Sequence, residues 1–256
     1  MTTWDPGQYL RFRELRLRPA LDLLAHVRPG SPPGLVVDLG CGPGNLTARL
    51  AERWPDAEVV GVDSSPSMLA EARRDHPGPT WVEADLADYE PPRPAEVVFS
   101  NAALHWLPDH EALLPTLLQR VAPGGVLAIQ VHDGWDAPSH TAGFAIAASP
   151  RWRDRLRHDL PEQPLLRPEQ YLDLLLPLAA DVDCWTTTYH HVLEGPDPVV
   201  EWFKGSFLRT FVSDLESADA DAFLAEYAAA MAEAYPTRAD GRTVMAFRRL
   251  FLVVRR

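Results

Sequence analysis

The stretch LVVDLGCGPGN, residues 35–45, decides the fold of this chain. An apolar run ends at Asp38, glycines alternate at Gly40, Gly42 and Gly44, and a helical pattern follows at once. Glycines at a strand-to-helix turn allow positive φ and let a ligand approach the backbone without a Cβ in the way. The start of the following helix offers unpaired N–H groups that suit a carboxylate. The stretch therefore predicts a strand, a ligand-binding turn and a helix.

The same alternation continues after the glycine loop. Strands are predicted at LVVDLG, EVVGVD, TWVEAD, AEVVFSN and VLAIQVH, with helices at about 44–53, 66–74 and 109–121 and a turn at APGG. Repeated βαβ units form a parallel sheet. Two later strands, DVDCWTTTYHHV and VMAFRRLFLVVRR, can close the sheet. We expect an α/β fold with a Rossmann-like sheet that is mostly parallel and has an antiparallel closing strand.

The length of 256 residues suits one domain with an elaboration. We predict a single domain over 1–256, with its core at about 30–133 and 182–256. Leucines at helical spacing predict a lead-in helix over 1–28. Helical stretches at about 134–181 and 197–236 are predicted to form a cap, where specificity for small molecules tends to reside in open α/β folds.

Composition and charge narrow the function. Hydrophobic residues make up 46% and charged residues 23%, as in ordinary globular proteins. The net charge of -12 disfavours nucleic acid as a partner, because nonspecific affinity for nucleic acids needs Lys and Arg. Arginines nevertheless cluster at 11–18, 151–157 and 248–256, which is compatible with a small anionic metabolite as the substrate. No signal-like or membrane-spanning run occurs, and the two cysteines suit reduced thiols, which predicts a cytoplasmic protein that does not enter a membrane.

Polar residues follow the next predicted strands. Asp63 lies nineteen residues beyond the last loop glycine, where a carboxylate accepts bonds from ribose hydroxyls, and Ser64 is beside it. Asp85 is placed to accept from an adenine amino group, and Leu86 offers a backbone N–H and apolar contact. Asn101 closes the fourth strand at the same rim. Because these residues all stand at carboxyl ends of strands, they predict one adenosine-containing ligand at that rim.

Simpler interpretations exist for single members of this set. An Asp at a strand end is often a helix N-cap, and for Asp85 the two interpretations are equally open. Cys41 is expected to be a small residue beneath the turn and not a nucleophile. The histidines are scattered, so no metal site is predicted. The loop has the pattern GxGxG where dinucleotide sites have a later third glycine, so NAD fits less well.

Longer segments carry a resemblance to a known family. They are WDPGQYLRF, RLRPALDLL, VVDLGCGPGN, GVDSSPSMLAEAR, WVEAD, NAALHWLPDH, WTTTYHH and FRRLFLVVRR. The chain resembles class I S-adenosylmethionine-dependent methyltransferases and, among these, the trans-aconitate methyltransferase family. The glycine loop is specific only to the superfamily, whereas the terminal segments carry the narrower match. Residues 141–165 match poorly, and His190 stands where an aromatic Tyr is expected.

The resemblance implies an activity and a set of binding residues. Such enzymes transfer a methyl group from S-adenosylmethionine to one carboxylate of trans-aconitate, giving a monomethyl ester. It assigns the cofactor to Asp38, Gly40, Gly42, Asp63, Asp85 and Asn101. Tyr9 and Arg18 are implied to close over it.

The chemistry of this reaction predicts what else the site contains. A carboxylate acceptor is already ionised at neutral pH, so no general base and no catalytic side chain are predicted. His105 would serve as a base only for a hydroxyl or carbon acid. Cations, donors and walls for a polyacid are needed instead. The candidates for binding this substrate are Trp106, Trp135, Tyr189, His190, Arg209 and Arg248.

Two alternatives stay open at this point. A methyltransferase for a quinone precursor or another natural product would share the cofactor but have an apolar cap. A nicotinamide-dependent oxidoreductase or a noncatalytic nucleotide-binding module would bind NAD and not S-adenosylmethionine. The sequence does not give the oligomeric state.

Overall fold

The structure, a computed structural model, describes residues 13–156, 165–213 and 215–256. Its strands are β1 (Leu35–Leu39), β2 (Glu58–Asp63), β3 (Thr80–Glu83), β4 (Ala95–Asn101), β5 (Val121–His132), β6 (Asp181–Leu193) and β7 (Thr243–Arg255). Its helices are α1 (Arg13–His26), α2 (Asn45–Arg53), α3 (Pro66–Asp75), α4 (His110–Gln119), α5 (Pro138–Ala147), α6 (Pro168–Leu175), α7 (Pro198–Lys204), α8 (Arg209–Val212) and α9 (Ser217–Ala234). A short 3-10 helix covers Leu104–Trp106.

Local sequence explains where these elements begin. All five residues of β1 are buried, which suits its uninterrupted apolar run in a sheet covered on both faces. The side chain of Ser65 accepts from the N–H of Met68 and caps α3, whose first residue is Pro66. Asp109 caps α4 in the same way, by accepting from the N–H of Ala112.

The strands form one sheet in the order β3-β2-β1-β4-β5-β7-β6. β1 pairs in parallel with β2 and with β4, and β4 pairs in parallel with β5. β7 runs antiparallel to β5. The predicted Rossmann-like sheet with an antiparallel closing strand is therefore confirmed. The strand order reverses between β1 and β4, and ligands of open α/β sheets bind at the carboxyl ends beside such a switch point.

The described chain divides into two compact units. The sheet unit comprises 17–132, 165–187 and 249–256, and the cap unit comprises 13–16, 133–156, 188–213 and 215–248. Buried aliphatic side chains from the strands form the centre of the sheet unit, among them Val36, Val60, Val98, Leu127 and Leu252. The predicted single-domain organisation stays a prediction.

The cap unit has a core of its own that is rich in aromatic residues. Its buried members are Ala147, Trp152, Leu193, Val199, Val200, Trp202, Phe203, Phe207, Leu208, Phe211, Phe223, Tyr227, Met231, Met245 and Phe247. The polar ends of two large rings find partners: Tyr227 donates to the carbonyl of Ser139 at 2.8 Å, and the indole of Trp152 donates to Glu226 at 3.0 Å. The large aromatic side chains of this unit are therefore buried together, with their polar atoms paired.

Several element predictions need adjustment. The segment APGG, predicted as a turn, lies inside β5, where the pairing with β4 shifts register between Ala95 and Val97. In the helical stretch predicted at about 197–236, the described residues form three helices, α7, α8 and α9. Of the predicted lead-in helix, the described part is α1, and residues 1–12 lie outside the described residues. None of the described helices is long and apolar enough to span a membrane.

Candidate cofactor site and acceptor-binding residues

The glycine loop joins β1 to α2 and is anchored on β2. The N–H groups of Gly40 and Cys41 both donate to the carbonyl of Val62, at 2.8 and 3.0 Å. Gly40, Gly42 and Gly44 have φ values of 78°, 53° and 82°, which an L side chain rarely adopts. The sequence pattern therefore predicted the turn for the right physical reason.

The three loop glycines have different surroundings. A Cβ on Gly40 would lie 2.2 Å from Cβ of Ala103, and one on Gly44 would lie 2.5 Å from the Trp81 ring. Trp81 also lies 2.4 Å from where a Cβ on Gly61 would be. At Gly42 a Cβ would meet nothing within 4 Å. Gly42 is thus the position where the loop backbone faces open space, as a bound ligand requires.

Asp63, at the end of β2, holds the loop. One of its carboxylate oxygens accepts from the N–H of Gly42 at 2.9 Å, and the other accepts from the N–H of Ser65 at 2.9 Å. Each oxygen keeps a second lone pair for a ligand hydroxyl. The side chain predicted to bind ribose therefore also fixes the glycine loop relative to α3.

Asp38, at the end of β1, is in a different environment. It is 1% exposed, and Oδ2 accepts from the hydroxyl of Thr47 on α2 at 2.6 Å. Oδ1 is buried and has no hydrogen-bond partner. Burial raises the pKa of Asp38 from 3.8 to about 7; the bond from Thr47 opposes this, and the nearby Asp63 adds to it. A ligand cation near Oδ1 would favour the ionised form.

Asp85 and Leu86 follow β3. Oδ1 of Asp85 accepts from the N–H of Ala87 at 2.8 Å, and its carbonyl accepts from the N–H of Tyr89, so this Asp organises a turn. The carboxylate is exposed, which leaves Oδ2 accessible to a ligand. Cδ1 of Leu86 lies 3.4 Å from where a Cβ on Gly40 would be. Leu86 thus lies next to the glycine loop, and its apolar contact with a ligand stays a prediction.

Asn101 ends β4 beside the same rim. Its Oδ1 is buried without a hydrogen-bond partner. The next residue, Ala102, has φ 54° and donates its N–H to the carbonyl of Gln130 at 2.8 Å. A non-glycine residue at such a φ is strained and is often found at functional sites.

The remaining cofactor candidates are less closely grouped. Ser64 is exposed beside Asp63, while its neighbour Ser65 caps the helix. The side chain of Arg18 on α1 is 71% exposed and lies 3.9 Å from Asp22. Tyr9 lies outside the described residues. Burial, with Asp38 and Asp63 nearby, raises the pKa of Cys41, which agrees with a structural and not a nucleophilic thiol.

Five of the six candidates for the acceptor lie in the cap unit. Arg248 donates to Asp133 at 2.7 Å and to Asp136 at 2.7 Å, and these bonds raise its pKa. Arg248 therefore already has two carboxylate partners, whose negative charge would oppose the binding of an acceptor acid. Arg209 is exposed on α8. Among the predicted arginines, Arg209 is the more accessible to a new anion.

The aromatic and histidine candidates have mixed exposure. Tyr189 is buried and His190 is exposed, while the adjacent His191 is buried, as alternation along a strand predicts. Trp135 stacks on Phe144 with ring centroids 5.4 Å apart. The sixth candidate, Trp106, belongs to the sheet unit and is 50% exposed in the 3-10 helix after β4.

Sequence reasoning missed two polar side chains of the sheet unit. The hydroxyl of Thr47 donates to Asp38, which lies nine residues earlier in the sequence, and no sequence motif indicated this bond. Gln130 is 1% exposed, and neither of its amide atoms has a hydrogen-bond partner. A signal for Gln130 did exist, because it is the one amide in the otherwise apolar run VLAIQV. Within the described ranges no group of three or more His, Cys, Asp or Glu could hold a metal ion.

The fold and the rim of polar residues define a class I methyltransferase, and comparisons with known proteins agree. A family model described as a methyltransferase domain matches residues 36–125. Phosphoethanolamine N-methyltransferase 2 of Haemonchus contortus, solved in complex with S-adenosyl-L-methionine, is 18% identical with TM-score 0.54, over 93% of this chain and 52% of that chain. An S-adenosylmethionine-dependent methyltransferase from Mesorhizobium loti is 23% identical with TM-score 0.50, over 94% and 98%.

Closer relatives narrow the class. The trans-aconitate 2-methyltransferase of Methylobacterium nodulans is 47% identical over 257 residues, which cover 100% of this chain and 99% of the relative. That of Azoarcus sp. is 47% identical over 253 residues, covering 99% of each. This chain belongs to the trans-aconitate 2-methyltransferase family.

Proposed function

We propose that the chain transfers the methyl group of S-adenosylmethionine to a carboxylate of trans-aconitate and releases a monomethyl ester. The observation that carries the cofactor assignment is the set at the carboxyl ends of β1, β2 and β4. Gly42 faces open space, Asp63 holds the loop with lone pairs to spare, and Asp38 and Asn101 have unpartnered buried oxygens. Full-length relatives of this family support the acceptor.

The residues fit the parts of S-adenosylmethionine. Asp63, with Ser64 beside it, would hold the ribose hydroxyls, and Asp85 with Leu86 would hold the adenine. Gly42 would let the ligand approach the loop, while the acceptor oxygens of Asp38 and Asn101 suit its cationic end. When bound, the cofactor supplies an electrophilic methyl group on a positively charged sulfur.

The chain's own contribution is alignment and the exclusion of water. A carboxylate nucleophile needs no base, so no side chain has to take up a proton. Holding the acceptor in line with the methyl group replaces a bimolecular encounter and lowers the barrier. The acceptor's other carboxylates need cations or hydrogen-bond donors, for which we propose Arg209, His190 and Tyr189. Arg248 would bind the acid in competition with its two aspartates. Trp106 and Trp135 are proposed as apolar contacts of the acid.

The quinone-type and nicotinamide alternatives are not favoured by the family relationship. A small anionic acceptor agrees with this function. A cytoplasmic location, the absence of nucleic acid as a partner and the closure of Tyr9 and Arg18 over the cofactor stay predictions.

The test uses the purified chain with S-adenosylmethionine and a panel of di- and tricarboxylates. S-adenosylhomocysteine release and the mass of any methyl ester are recorded for each acid. We expect trans-aconitate to be turned over faster than the other acids. Cofactor binding without turnover of any acid would overturn the acceptor assignment and leave the class of enzyme intact.

A further inference from the structure

Gln130 lies in the row of polar residues at the switch point. Asp38 of β1 is the register partner of Phe99 of β4, and Asn101, two residues further along β4, is the partner of Gln130 of β5. Paired residues of neighbouring strands, and residues two apart on one strand, project to the same face of a sheet. Asp38, Asn101 and Gln130 therefore share one face of three adjacent strands.

These three side chains also share a chemical property. Oδ1 of Asp38, Oδ1 of Asn101 and both amide atoms of Gln130 are buried and have no hydrogen-bond partner. Leaving a buried polar atom unpaired is unfavourable, and most such atoms in folded proteins are paired. An apolar residue at position 130 would fit the surrounding strand better. The unpaired amide of Gln130 is thus unfavourable for folding, which indicates that its hydrogen-bond partner is a bound ligand.

We propose that Gln130 is a ligand-binding residue whose amide N–H donates to a carboxylate in the methyltransferase site, an inference that rests on the function proposed above. Its backbone already belongs to that site, because the carbonyl of Gln130 accepts from Ala102 directly after Asn101. Two ligands supply a carboxylate there. One is the methionine end of the cofactor and the other is the acceptor acid.

The amide offers a donor and an acceptor side by side. The methionine end carries an ammonium next to its carboxylate and would satisfy both amide atoms, whereas an acceptor acid would satisfy the N–H alone. At 1% exposure, the amide and a carboxylate bound to it are shielded from water, which strengthens their interaction. Neighbouring atoms must move aside for the ligand to reach it.

The test compares Gln130→Met with a matched substitution, Gln119→Met, at an exposed glutamine on α4. Thermal unfolding of the unliganded chain is measured first, because Met keeps the length of the side chain and removes its polar atoms. We expect the melting temperature of Gln130→Met to equal or exceed that of the wild type. A fall larger than that of Gln119→Met would show a structural role for the amide and would overturn the proposal.

Binding then identifies the source of the carboxylate. Affinities for S-adenosylhomocysteine and for 5'-methylthioadenosine, which lacks the amino-acid end, are measured by calorimetry, together with KM for trans-aconitate. A loss of about tenfold for S-adenosylhomocysteine alone would assign Gln130 to the cofactor's carboxylate. A rise of about tenfold in KM with both affinities unchanged would assign it to the acceptor.

Two results overturn the proposal in this second stage. One is equal loss for both nucleosides, which would indicate general disruption, and the other is no change in any of the three values. Wild-type turnover keeps the two proposals apart. If the wild type methylates none of the acids but binds S-adenosylhomocysteine, the acceptor assignment fails while the comparison of the two nucleosides still judges Gln130.

Discussion

The carboxyl ends of β1 and β2 each carry an aspartate, and the two aspartates differ in burial and in hydrogen bonding. Asp63 on β2 is partly exposed, and both of its oxygens accept backbone N–H groups at 2.9 Å. Asp38 on β1 is buried, has one unpartnered oxygen and has its pKa raised to about 7. The first builds the loop, while the second is left for a ligand to satisfy.

Substitution of Asp63, which holds the glycine loop, should have the largest effect on cofactor affinity. Asp63→Ala removes two charge-assisted bonds that fix the glycine loop, together with the expected contacts to ribose. We expect affinity for S-adenosylhomocysteine to fall by about 100-fold, since each such bond contributes about 1.5–3 kcal/mol. Calorimetry measures it, with Asp56→Ala on the exposed surface as control. An affinity within twofold of the wild type would remove Asp63 from the site.

Neutralising Asp38 should separate binding from stability. Asp38→Asn removes a buried carboxylate that is costly to ionise, so the unliganded chain should be at least as stable at neutral pH. Affinity for S-adenosylhomocysteine should fall by about tenfold, because the ligand's ammonium loses an anionic partner. If thermal unfolding shows Asp38→Asn to be clearly less stable than the wild type, the bond to Thr47 outweighs the burial of charge and our interpretation of this aspartate is wrong.

The same group predicts a dependence on pH. Because the pKa of Asp38 is 3.8 when unfolded and about 7 when folded, the folded chain holds the extra proton between these values. The contribution of Asp38 to stability is therefore present at low pH and lost as pH rises from about 4 to about 7. The difference in melting temperature between wild type and Asp38→Asn, followed across this range, isolates that contribution. A difference independent of pH would contradict the raised pKa.

Substitutions at two loop glycines should separate residues that stabilise the loop from residues that bind the cofactor. Gly44→Ala forces a Cβ to 2.5 Å from Trp81, so it should lower the melting temperature more than Gly42→Ala. At Gly42 the added Cβ meets no protein atom, and the left-handed φ costs about 1 kcal/mol. We expect Gly42→Ala to act mainly on binding, because its Cβ would occupy the open space that the ligand approaches, and affinity for S-adenosylhomocysteine should fall by about fivefold. Equal effects of both variants on stability and on affinity would contradict this division.

The smallest effect is expected at the acceptor. Arg209→Gln removes an exposed cation of the cap unit, so KM for trans-aconitate should rise a few-fold while affinity for S-adenosylhomocysteine stays unchanged. Arg242→Gln, at an exposed arginine bound to Asp240, is the control. Steady-state kinetics that show the same KM for both variants would exclude Arg209 as an acceptor ligand.

Sequence alone predicted most of the sheet and the turn of the glycine loop, because their signals are local. Strand periodicity, the glycine turn and polar residues at strand ends each follow from a few neighbouring positions. The bond from Thr47 to Asp38 and the unpaired amide of Gln130 depend on which strands and helices meet, which no local pattern contains. The extension of β5 through APGG was hidden because proline and glycine normally mark turns.

The acceptor-binding residues stay predictions, and their surroundings could not be inferred from sequence for the same reason. Arg248 was chosen as a cation for the acid, yet Asp133 and Asp136, more than a hundred residues away in the sequence, already neutralise it. Tyr189 is predicted as a donor to the acid and is buried in the structure, so its role stays a prediction. Charge and size can be inferred from sequence, whereas the partners of a charged group depend on tertiary structure.

Trp81 packs against two glycines and limits which residues can replace them. Its ring fills the space that side chains at Gly44 and Gly61 would occupy, and its indole N–H donates to the carbonyl of His76 at 3.1 Å. A smaller residue at 81 would make room for a Cβ at position 61, whereas at position 44 the positive φ would still disfavour alanine. We expect related sequences with a side chain at 61 to carry a smaller residue at 81, and to keep glycine at 44.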